Sequence, residues 1–398
     1  MPTIQHIRSI LLSSPYADAD EPEIKCNFPN GPKRTIGMVE VALDNGVTGL
    51  GEGYLAVFAP RVFETIVELC TPYLLGKDAF EIDDRVCDLC SVCDYWSLQG
   101  AARHVTSAFE IAMVDAKAKT LGVASYELLG GAPDESIRMY GSGGCCETKA
   151  HFRQELSMLD AMGIDLYKIR AVKQDILRTT WILEEAFKHG IEVGVDMCQN
   201  LAQPPQPVKD VVDYVESVYR LTDKRIVFLE EAIGPASPQG FKALRERVAP
   251  QVCGGEIITT STEMIERIEN DIYDFVQPDA SVIGGIGAVM KIFDAAADKG
   301  TEVVVHAWGG PAALMANYHA AFAGNGKLVE YPMLAFPLRE AMVGNQMRIE
   351  GGRLYRPTAP GIGVTLTPQI ELQFPFDPTA VYNCQGIDYG SPPDEAWQ

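Results

Sequence analysis

The sequence predicts an α/β protein in which a barrel of parallel strands follows a smaller α+β unit. From residue 136 onward, eight short apolar runs alternate with segments of helical periodicity, a pattern typical of a (β/α)₈ barrel. Before that point, residues 35–54 alternate apolar and polar side chains around an Asp-Asn-Gly turn, as in a β-hairpin, and residues 60–130 have helical patterns. We therefore expect an α+β unit at 1–133 and a barrel at 134–345.

Local sequence patterns predict where the individual helices, turns and strands lie. Residues 81–96 have a helical pattern, and a second helix over 105–121 should end near Gly122, since glycine readily adopts the left-handed conformation at a helix end. Residues 128–133 predict a turn. The tail at 346–398 contains turns and short extended pieces, which we expect to pack back on the N-terminal unit. The expected barrel strands are 136–142, 166–170, 192–196, 225–230, 251–256, 274–279, 302–306 and 327–331.

The net charge excludes some kinds of partner. The chain of 398 residues has 33 Lys and Arg against 54 Asp and Glu, a formal charge of −21. Such a charge repels nucleic acids and anionic membrane surfaces. No stretch approaches the length of apolar sequence that a transmembrane helix needs, and the first residues lack the pattern of a signal peptide. We therefore expect a cytoplasmic protein with a small-molecule partner.

Ten cysteines are present, and without a secretion signal we expect reduced thiols. Cys87, Cys90 and Cys93 follow one another at intervals of three along a predicted helix, and no His follows at the distance of a zinc finger. Buried thiols are the favoured interpretation over a structural metal. Cys145 and Cys146 follow a predicted strand and could line a pocket, although an inert role is favoured.

Charged residues occur at the ends of seven successive predicted strands. Barrel enzymes place their active sites at the carboxyl ends of the strands, and the spacing between these residues is close to one βα unit. We expect all of them on one rim. The residues are Lys168, Arg170, Asp196, Glu230, Glu256, Asp279, His306 and Glu330.

Three of these residues, Asp196, Glu230 and Glu256, are carboxylates on neighbouring strands. Carboxylates crowded together repel one another unless a positive charge lies between them. Ligands with oxygen atoms only suit a hard divalent ion, with Mg²⁺ favoured over Zn²⁺. The alternative is that the carboxylates pair with barrel Lys and Arg. Glu231 is an alternative ligand, but in a regular strand its side chain should point to the opposite face.

His306 ends an entirely apolar strand on the same rim, and Asp279 lies one strand earlier. A carboxylate that accepts the Nδ1–H of a histidine fixes its tautomer and raises its basicity. Together with a metal and cations, this pair suggests abstraction of a proton α to a carboxylate, with the developing negative charge stabilised nearby. The remaining histidines are given a structural role: His6, His104, His151, His189 and His319.

These motifs together resemble the enolase superfamily, and within it the mandelate racemase-like group. The signature helix matches 107–131, the second-strand K-x-K motif matches Lys168-Ile169-Arg170, and the later strand ends match the metal ligands, the Asp–His pair (with His306 in HAWGG) and Glu330. The resemblance implies an α+β capping domain, completed by the C-terminal tail, over a modified (β/α)₇β barrel. It also implies Mg²⁺, proton abstraction and a homo-oligomer, from dimer to octamer.

Two departures from the family pattern bear on the reaction. Cys198 occupies the usual place of an Asn, with Asn200 further along, so the loop is expected to differ. Arg170 replaces the second Lys, and a guanidinium is a poor proton acceptor. Lys168 by resemblance holds the substrate carboxylate or tunes its neighbour, and is the base in reserve should Arg170 point away.

One remaining base suits β-elimination of water, in which His306 takes the α-proton and then protonates the departing hydroxyl, while Glu330 would hydrogen bond the enolate oxygen. Many members of this group dehydrate acid sugars, so the leading hypothesis is an acid-sugar dehydratase, a hydro-lyase forming a 2-keto-3-deoxy acid. The alternatives are a racemase, an epimerase or a cycloisomerase. A non-catalytic metal-binding barrel is less favoured, because it would not need the acid–base set.

By resemblance, loops of the capping domain select the substrate. In the early loop, 16–34, Lys25, Lys33 and Arg34 could meet a distal carboxylate, whereas Tyr54 and Phe58 of the loop 51–58 would make the wall more apolar. Ordinary loop packing is an equal alternative. The candidate substrate-binding residues are Tyr16, Lys25, Arg34, Tyr54, Asn200 and Trp308.

Overall fold

The computed structural model describes residues 1–16, 33–145, 148–382 and 397. Lys25 and Cys146 therefore lie outside the described residues. The strands are β1 Ile4–Pro15, β2 Lys33–Leu43, β3 Thr48–Glu52, β4 Ser136–Ser142, β5 Leu166–Arg170, β6 Glu192–Asp196, β7 Ile226–Glu230, β8 Gln251–Gly254, β9 Phe275–Val276, β10 Glu302–Val303, β11 Leu328–Pro332, β12 Ile349–Glu350 and β13 Arg353–Tyr355.

The helices alternate with the strands through most of the chain. They are α1 Pro60–Cys70, α2 Ile82–Ser97, α3 Ala101–Leu121, α4 Ser125–Leu128, α5 Lys149–Met162, α6 Ile176–Lys188, α7 Val208–Leu221, α8 Pro238–Arg245, α9 Ser261–Glu269, α10 Ile286–Lys299, α11 Pro311–Ala323, α12 Pro337–Val343 and α13 Pro368–Gln373. Among the residues that the structure describes, none of the helices combines the length and apolarity that crossing a bilayer demands.

The N-terminal unit is a three-stranded antiparallel sheet, β1-β2-β3, covered by α1, α2 and α3. The predicted hairpin corresponds to β2 and β3, and α3 ends at Gly122 with a left-handed φ of 71°. Strand β1 was not predicted; it pairs with β2 along nearly its whole length. Helix α3 lies directly on β3, since a Cβ atom on Gly51 would come within 1.9 Å of the carbonyl oxygen of Ala108.

The second unit is the barrel. Strands β4 to β10 pair in parallel with their neighbours in chain order, and β11 returns to pair with β4. Seven helices, α5 to α11, separate these eight strands in the described chain, so the (β/α)₇β fold is confirmed. Between β10 and β11, the backbone N–H of Ala307 donates to Oε2 of Glu330 at 2.7 Å.

Each predicted barrel strand contains an observed strand, but three end earlier than expected. The ladders of β8, β9 and β10 stop at Gly254, Val276 and Val303. Glu256, Asp279 and His306 consequently lie just beyond regular pairing, where the strands diverge into the loops of the rim. An apolar layer that includes Tyr140 and Phe228 fills the barrel interior.

The C-terminal tail divides its contacts between the two units. Strand β13 pairs with β4 and so extends the barrel sheet, which differs from the expectation for residues 346–398. Further along, Glu371 forms an ion pair with Arg8, and the carbonyl oxygen of Ala380 accepts a hydrogen bond from Thr35. The domain boundaries at 133 and 345 stay a prediction.

The cysteines of α2 have three different environments. Cys87 is exposed, Cys90 accepts a hydrogen bond from Arg103, and Cys93 is buried with its Sγ 3.7 Å from that of Cys70. Within the described chain, the three thiols of this helix do not converge on a metal site.

Two buried carboxylates join the N-terminal unit to the barrel. Glu52 accepts hydrogen bonds from the backbone N–H groups of Gly310, Ala312 and Ala313 at the start of α11. Glu110 of α3 does the same for Ile286 and Gly287 at the start of α10. Free N–H groups at a helix start favour a carboxylate. Burial nevertheless raises the pKa of both carboxyl groups to about 7, and these N–H groups offset only part of the rise.

Replacing Glu110 should change how stability depends on pH. The folded-state pKa of Glu110, about 7, lies above the ordinary 4.5, so its favourable contribution is present below pH 4.5 and is lost as pH rises through 7. A Gln does not titrate. Relative to wild type, Glu110→Gln should therefore gain about 2–3 kcal/mol of unfolding free energy between pH 5 and pH 8, measured by denaturant titration.

The matched control is Glu216→Gln on α7, where the side chain is largely exposed. Its stability should follow the wild-type pH curve. If the unfolding free energies of Glu110→Gln and wild type changed in parallel with pH, the raised pKa assigned to the buried Glu110 would be contradicted.

Candidate active site

Strand geometry gathers the predicted residues at one end of the barrel. Successive side chains of a strand alternate between faces, so Lys168 and Arg170 of β5 share the interior face with Leu166, whereas Tyr167 and Ile169 pack outward. Arg170 is directly opposite Asp196 in the sheet, and Asp196 is opposite Glu230. The three residues therefore lie side by side on adjacent strand ends.

Lys168 is the centre of the charge network. Its side chain is completely buried, and Nζ lies 2.5 Å from Oε1 of Glu230, 2.8 Å from Oε1 of Glu330 and 4.0 Å from Oδ2 of Asp196. Burial favours the neutral amine, but Glu230 and Glu330 raise the pKa of Lys168 well above its ordinary value. The ammonium is charged in this arrangement, which suits electrostatic stabilisation better than proton abstraction.

Arg170 faces the cavity at the rim. Its guanidinium stacks on Trp308, with 4.3 Å between Cζ and the ring centroid. Nη1 donates to the carbonyl oxygen of Gly143 at 2.7 Å, and Nε is 3.6 Å from Asp196. The side chain does not point away, so the condition under which Lys168 would replace it is not met.

The three predicted metal ligands lie on the rim, but they are not gathered around one point. Glu230 is engaged by Lys168 and by Nε2 of Gln277, while Glu256 accepts a hydrogen bond from Asn200 at 2.5 Å. Across the described ranges, no three His, Cys, Asp or Glu side chains converge closely enough to hold an ion. The pairing with barrel cations that was the alternative interpretation is thus present for Glu230 and Asp196.

Two observations fit a cation at this place. The donors are carboxylate oxygens, which suit Mg²⁺. In addition, Glu231 is fully buried, and its Oε2 has no hydrogen-bond partner. Burial and then the nearby charge of Glu256 raise the pKa of Glu231 to about 8. A cation close to these carboxylates would interact with the unpaired oxygen of Glu231 and would reduce the repulsion between Glu231 and Glu256.

Glu231 lies beyond the regular strand to which its expected orientation applied. Strand β7 ends at Glu230, and Glu231 has a left-handed φ of 41° instead of an extended conformation. Its Oε1 accepts a hydrogen bond from the backbone N–H of Gly255 at 2.7 Å, so the side chain lies against the next strand end. The face-alternation rule applies only within a regular strand, so it does not determine the orientation of Glu231.

The loop after β6 has its own conformation. Cys198 has a φ of 49°, and its backbone N–H donates to Oδ1 of Asp196 at 2.9 Å. This turn brings the amide of Asn200 onto Glu256. Asn200 thus contacts a candidate metal ligand, and the expected difference of this loop from the family pattern stays a prediction.

His306 and Asp279 form a buried pair, with 2.8 Å between Nδ1 and Oδ2. Asn317 and Ser281 donate to the other oxygen of Asp279. Burial alone would lower the pKa of His306, but Glu256, 3.4 Å from Nε2, and Asp279 raise it to about 10. The pair orients Nε2 toward the cavity and the carboxylates.

The cavity above these residues has a volume of about 280 Å³. Aromatic side chains dominate one wall, and the charged strand ends form the floor. Its lining comprises Tyr54, Leu55, Phe58, His104, Cys145, Arg170, Asp196, Cys198, Asn200, Leu201, Glu256, Ile257, Val282, His306, Trp308 and Tyr382. A larger, open groove of about 800 Å³ lies between α2–α3 and α8–α10, but it contains none of the strand-end residues.

Only some of the candidate substrate-binding residues line the cavity. Tyr54, Asn200 and Trp308 line the cavity, whereas Tyr16 and Arg34 are buried outside the lining set. Lys33 does not reach the cavity, because it forms a surface ion pair with Asp377.

Sequence reasoning missed two polar residues of the cavity. His104 was given a structural role, yet it lines the cavity with a buried Nδ1 that has no hydrogen-bond partner, and burial lowers its pKa to about 4. Tyr382 comes from the C-terminal tail, where its backbone N–H donates to Val57. No local pattern marked either residue, whereas Cys145 had been noted beside a strand end.

Comparison with known proteins identifies the family. The sequence profile described as enolase C-terminal domain-like matches residues 151–370. The N-terminal domain profile of mandelate racemase and muconate lactonizing enzyme matches residues 21–130. The chain belongs to the enolase superfamily, in its mandelate racemase group. The resemblance drawn from the sequence motifs is confirmed.

Individual relatives are distant but nearly full-length. The D-galactonate dehydratase family member RspA of Pantoea ananatis is 24% identical over 86% of this chain and 91% of its own. A crystal structure of the 3,6-anhydro-D-galactonate cycloisomerase from Zobellia galactanivorans has a TM-score of 0.82 at 23% identity, covering 94% of this chain and all of that one. The L-talarate dehydratase from Polaromonas sp. JS666, complexed with Mg and L-glucarate, has a TM-score of 0.78 at 23% identity, covering 94% and 98%.

Removing the Lys168 charge should destabilise the protein. Lys168→Met leaves Glu230 and Glu330 buried without their cation, which typically costs about 3–5 kcal/mol. We expect a loss of unfolding free energy of this size in denaturant titrations with a chelator present. Lys209→Met is the control, since Lys209 pairs with Asp213 on the exposed face of α7, and it should change stability by less than about 0.5 kcal/mol. An equal effect of the two substitutions would contradict the central role of Lys168.

Proposed function

We propose that this protein removes the proton α to a carboxylate and dehydrates an acid sugar, an aldonate or aldarate, to a 2-keto-3-deoxy acid. The observation that carries this proposal is the His306–Asp279 pair, which faces the cavity opposite Arg170. One proton acceptor and one permanent cation suit elimination, in which a single base suffices. The names of the curated relatives, such as RspA, support the same chemistry.

The chain's own residues have separate roles in this reaction. His306 takes the α-proton at Nε2, and Asp279 holds the ring through Nδ1. Arg170 and Lys168 supply positive charge for the carboxylate and the enediolate oxygens that develop from it. Glu330 is ion-paired with Lys168 and accepts a hydrogen bond from the N–H of Ala307. It would hydrogen bond the enolate oxygen only in its protonated form, because a carboxylate has no proton to donate.

Asp196, Glu230 and Glu256 are the residues that we propose to hold Mg²⁺, with Glu231 as the alternative. A bound ion would neutralise the Glu256 charge that raises the pKa of His306 and would acidify the α-proton by polarising the substrate carboxylate. The Mg-bound relative supports this assignment. A cytoplasmic location and a homo-oligomer stay predictions.

Cycloisomerisation is the second candidate. It also begins with removal of an α-proton by one base, and the aromatic wall formed by Tyr54, Phe58, Trp308 and Tyr382 would pack well against a ring. The solved cycloisomerase supports this alternative. Racemisation or epimerisation is less favoured, because it needs a proton acceptor on the face occupied by Arg170.

A screen of acid sugars with Mg²⁺ in D₂O, followed by NMR, distinguishes these reactions. We expect a 2-keto-3-deoxy product, which His306→Asn should reduce by at least about 10³-fold. His189→Asn is the matched control, because His189 also lies beside an aspartate, Asp160, but on the outside of the barrel. Its rate should equal that of wild type. A rearranged ring product would favour the cycloisomerase, and inversion at the α-carbon would show a second base.

Metal removal provides an independent check. Chelation should abolish turnover, and Mg²⁺ should restore it more effectively than Zn²⁺, since the proposed ligands are oxygen atoms. Glu256→Gln should weaken Mg²⁺ binding in calorimetry by at least about tenfold. Full activity of the chelated enzyme would contradict the proposed metal site.

A further inference from the structure

Arg34 is a buried cation that forms no ion pair with the described residues, although the more distant carboxyl group of Glu52 raises its pKa. The residue is 3% exposed, and its Nε and Nη2 atoms have no hydrogen-bond partner in the structure. Its guanidinium instead lies over two rings, 5.2 Å from the centroid of Tyr54 and 5.9 Å from that of Tyr382. Leaving such a charge unpaired is costly. This arrangement is explained if a negative charge appears beside Arg34 at some stage of the reaction.

Tyr54 is the group on which that charge can form. It lies between Arg34 and the catalytic pair, with its ring centroid 6.2 Å from that of His306. It lines the cavity, and its hydroxyl makes no hydrogen bond within the described part of the chain. Tyr382 differs, because its hydroxyl is 3.1 Å from that of Tyr16.

The backbone fixes Tyr54 beside the acid–base pair. Its N–H donates to the carbonyl oxygen of Ser281 at 3.2 Å. The side chain and backbone N–H of Ser281 in turn donate to Asp279 at 2.7 and 2.8 Å. Two residues before Tyr54, Glu52 is bound to the start of α11. The position of this capping-domain residue is therefore tied to the barrel residues that it faces.

We propose that Tyr54 is the proton donor to the departing hydroxyl, and that Arg34 is a positioning residue that stabilises the resulting phenolate. The inference rests on the proposed dehydration and adds a second proton-transfer group to it. Burial, and the nearby charges of Glu256 and Asp279, keep the phenol protonated at neutral pH, while Arg34 opposes this rise in pKa. A neutral phenol backed by a guanidinium has the properties of a general acid.

The proton and electron balance of this step needs no further reactant. His306 takes the α-proton, and the electron pair of the C–H bond forms the new double bond. The neighbouring C–O bond breaks with its electron pair, and the departing oxygen takes the proton of Tyr54, so that water leaves. The phenolate then regains a proton from protonated His306, which resets both groups, and the enol rearranges to the 2-keto acid.

The test compares two readouts in D₂O: deuterium entering the α-position of remaining substrate, and formation of the dehydrated product. His306 governs the first readout, whereas the second also requires loss of the hydroxyl. Tyr54→Phe should lower kcat for elimination by about 10²–10³-fold, leave KM within about threefold, and retain exchange. The ratio of exchange to elimination should therefore rise by at least about 10²-fold.

Three further variants control this measurement. Tyr214→Phe removes a buried phenol hydroxyl outside the cavity, beside Thr179, and should keep the wild-type ratio. Arg34→Gln should raise the ratio of exchange to elimination, as Tyr54→Phe does. Arg34→Lys keeps the positive charge, so its ratio should lie between those of Arg34→Gln and wild type. Thermal unfolding shows whether each variant is folded.

Each outcome has a distinct meaning. A wild-type ratio in Tyr54→Phe, or a parallel fall in exchange and elimination, would overturn the role of Tyr54 as an acid, and His306 would then perform both transfers. Loss of stability in Arg34→Gln with an unchanged ratio would show that Arg34 only packs the rings together and would overturn its part in the proposal. A wild-type protein that neither exchanges nor dehydrates any acid sugar would overturn the proposed function and this inference with it.

Discussion

The buried ammonium of Lys168 is the interaction on which the remaining features of the site depend. Asp196 and Glu230 end the adjacent strands β6 and β7, whereas Glu330 lies on β11, on the far side of β4 and β5. Their charges would repel one another without the cation between them. Lys168 occupies one oxygen of Glu230, which is also a candidate metal ligand. A metal ion at this rim and the ammonium would have to share the same carboxylates.

The capping unit is held in place by two buried carboxyl groups. Glu52 and Glu110 bind the free N–H groups at the starts of two barrel helices, α11 and α10. These contacts fix the segment that follows β3 over the barrel rim, and Tyr54 is part of that segment. Cavity residues of the capping unit, such as Tyr54, are therefore held in a fixed position relative to the His306–Asp279 pair of the barrel.

Replacement of a lysine by Arg170 changes what the site can do more than any other single feature. The guanidinium stacks on Trp308 and donates to a carbonyl oxygen, so it presents charge to the cavity but no basic lone pair. The aromatic wall and the cation then favour a substrate with a carboxylate at the floor and a ring or a carbon chain above it. His306, which lines the same cavity, is then the candidate proton acceptor.

The sequence by itself determined the barrel, because eight apolar runs at regular intervals allow few other folds, and it located the strand-end residues through that spacing. The fold and family were confirmed; the roles of the site residues stay predictions. Only the tertiary structure revealed strand β1, the turned side chain of Glu231, and the presence of His104 and Tyr382 in the cavity. These features depend on contacts between segments far apart in the chain and on a local left-handed φ, neither of which leaves a periodic pattern in the sequence.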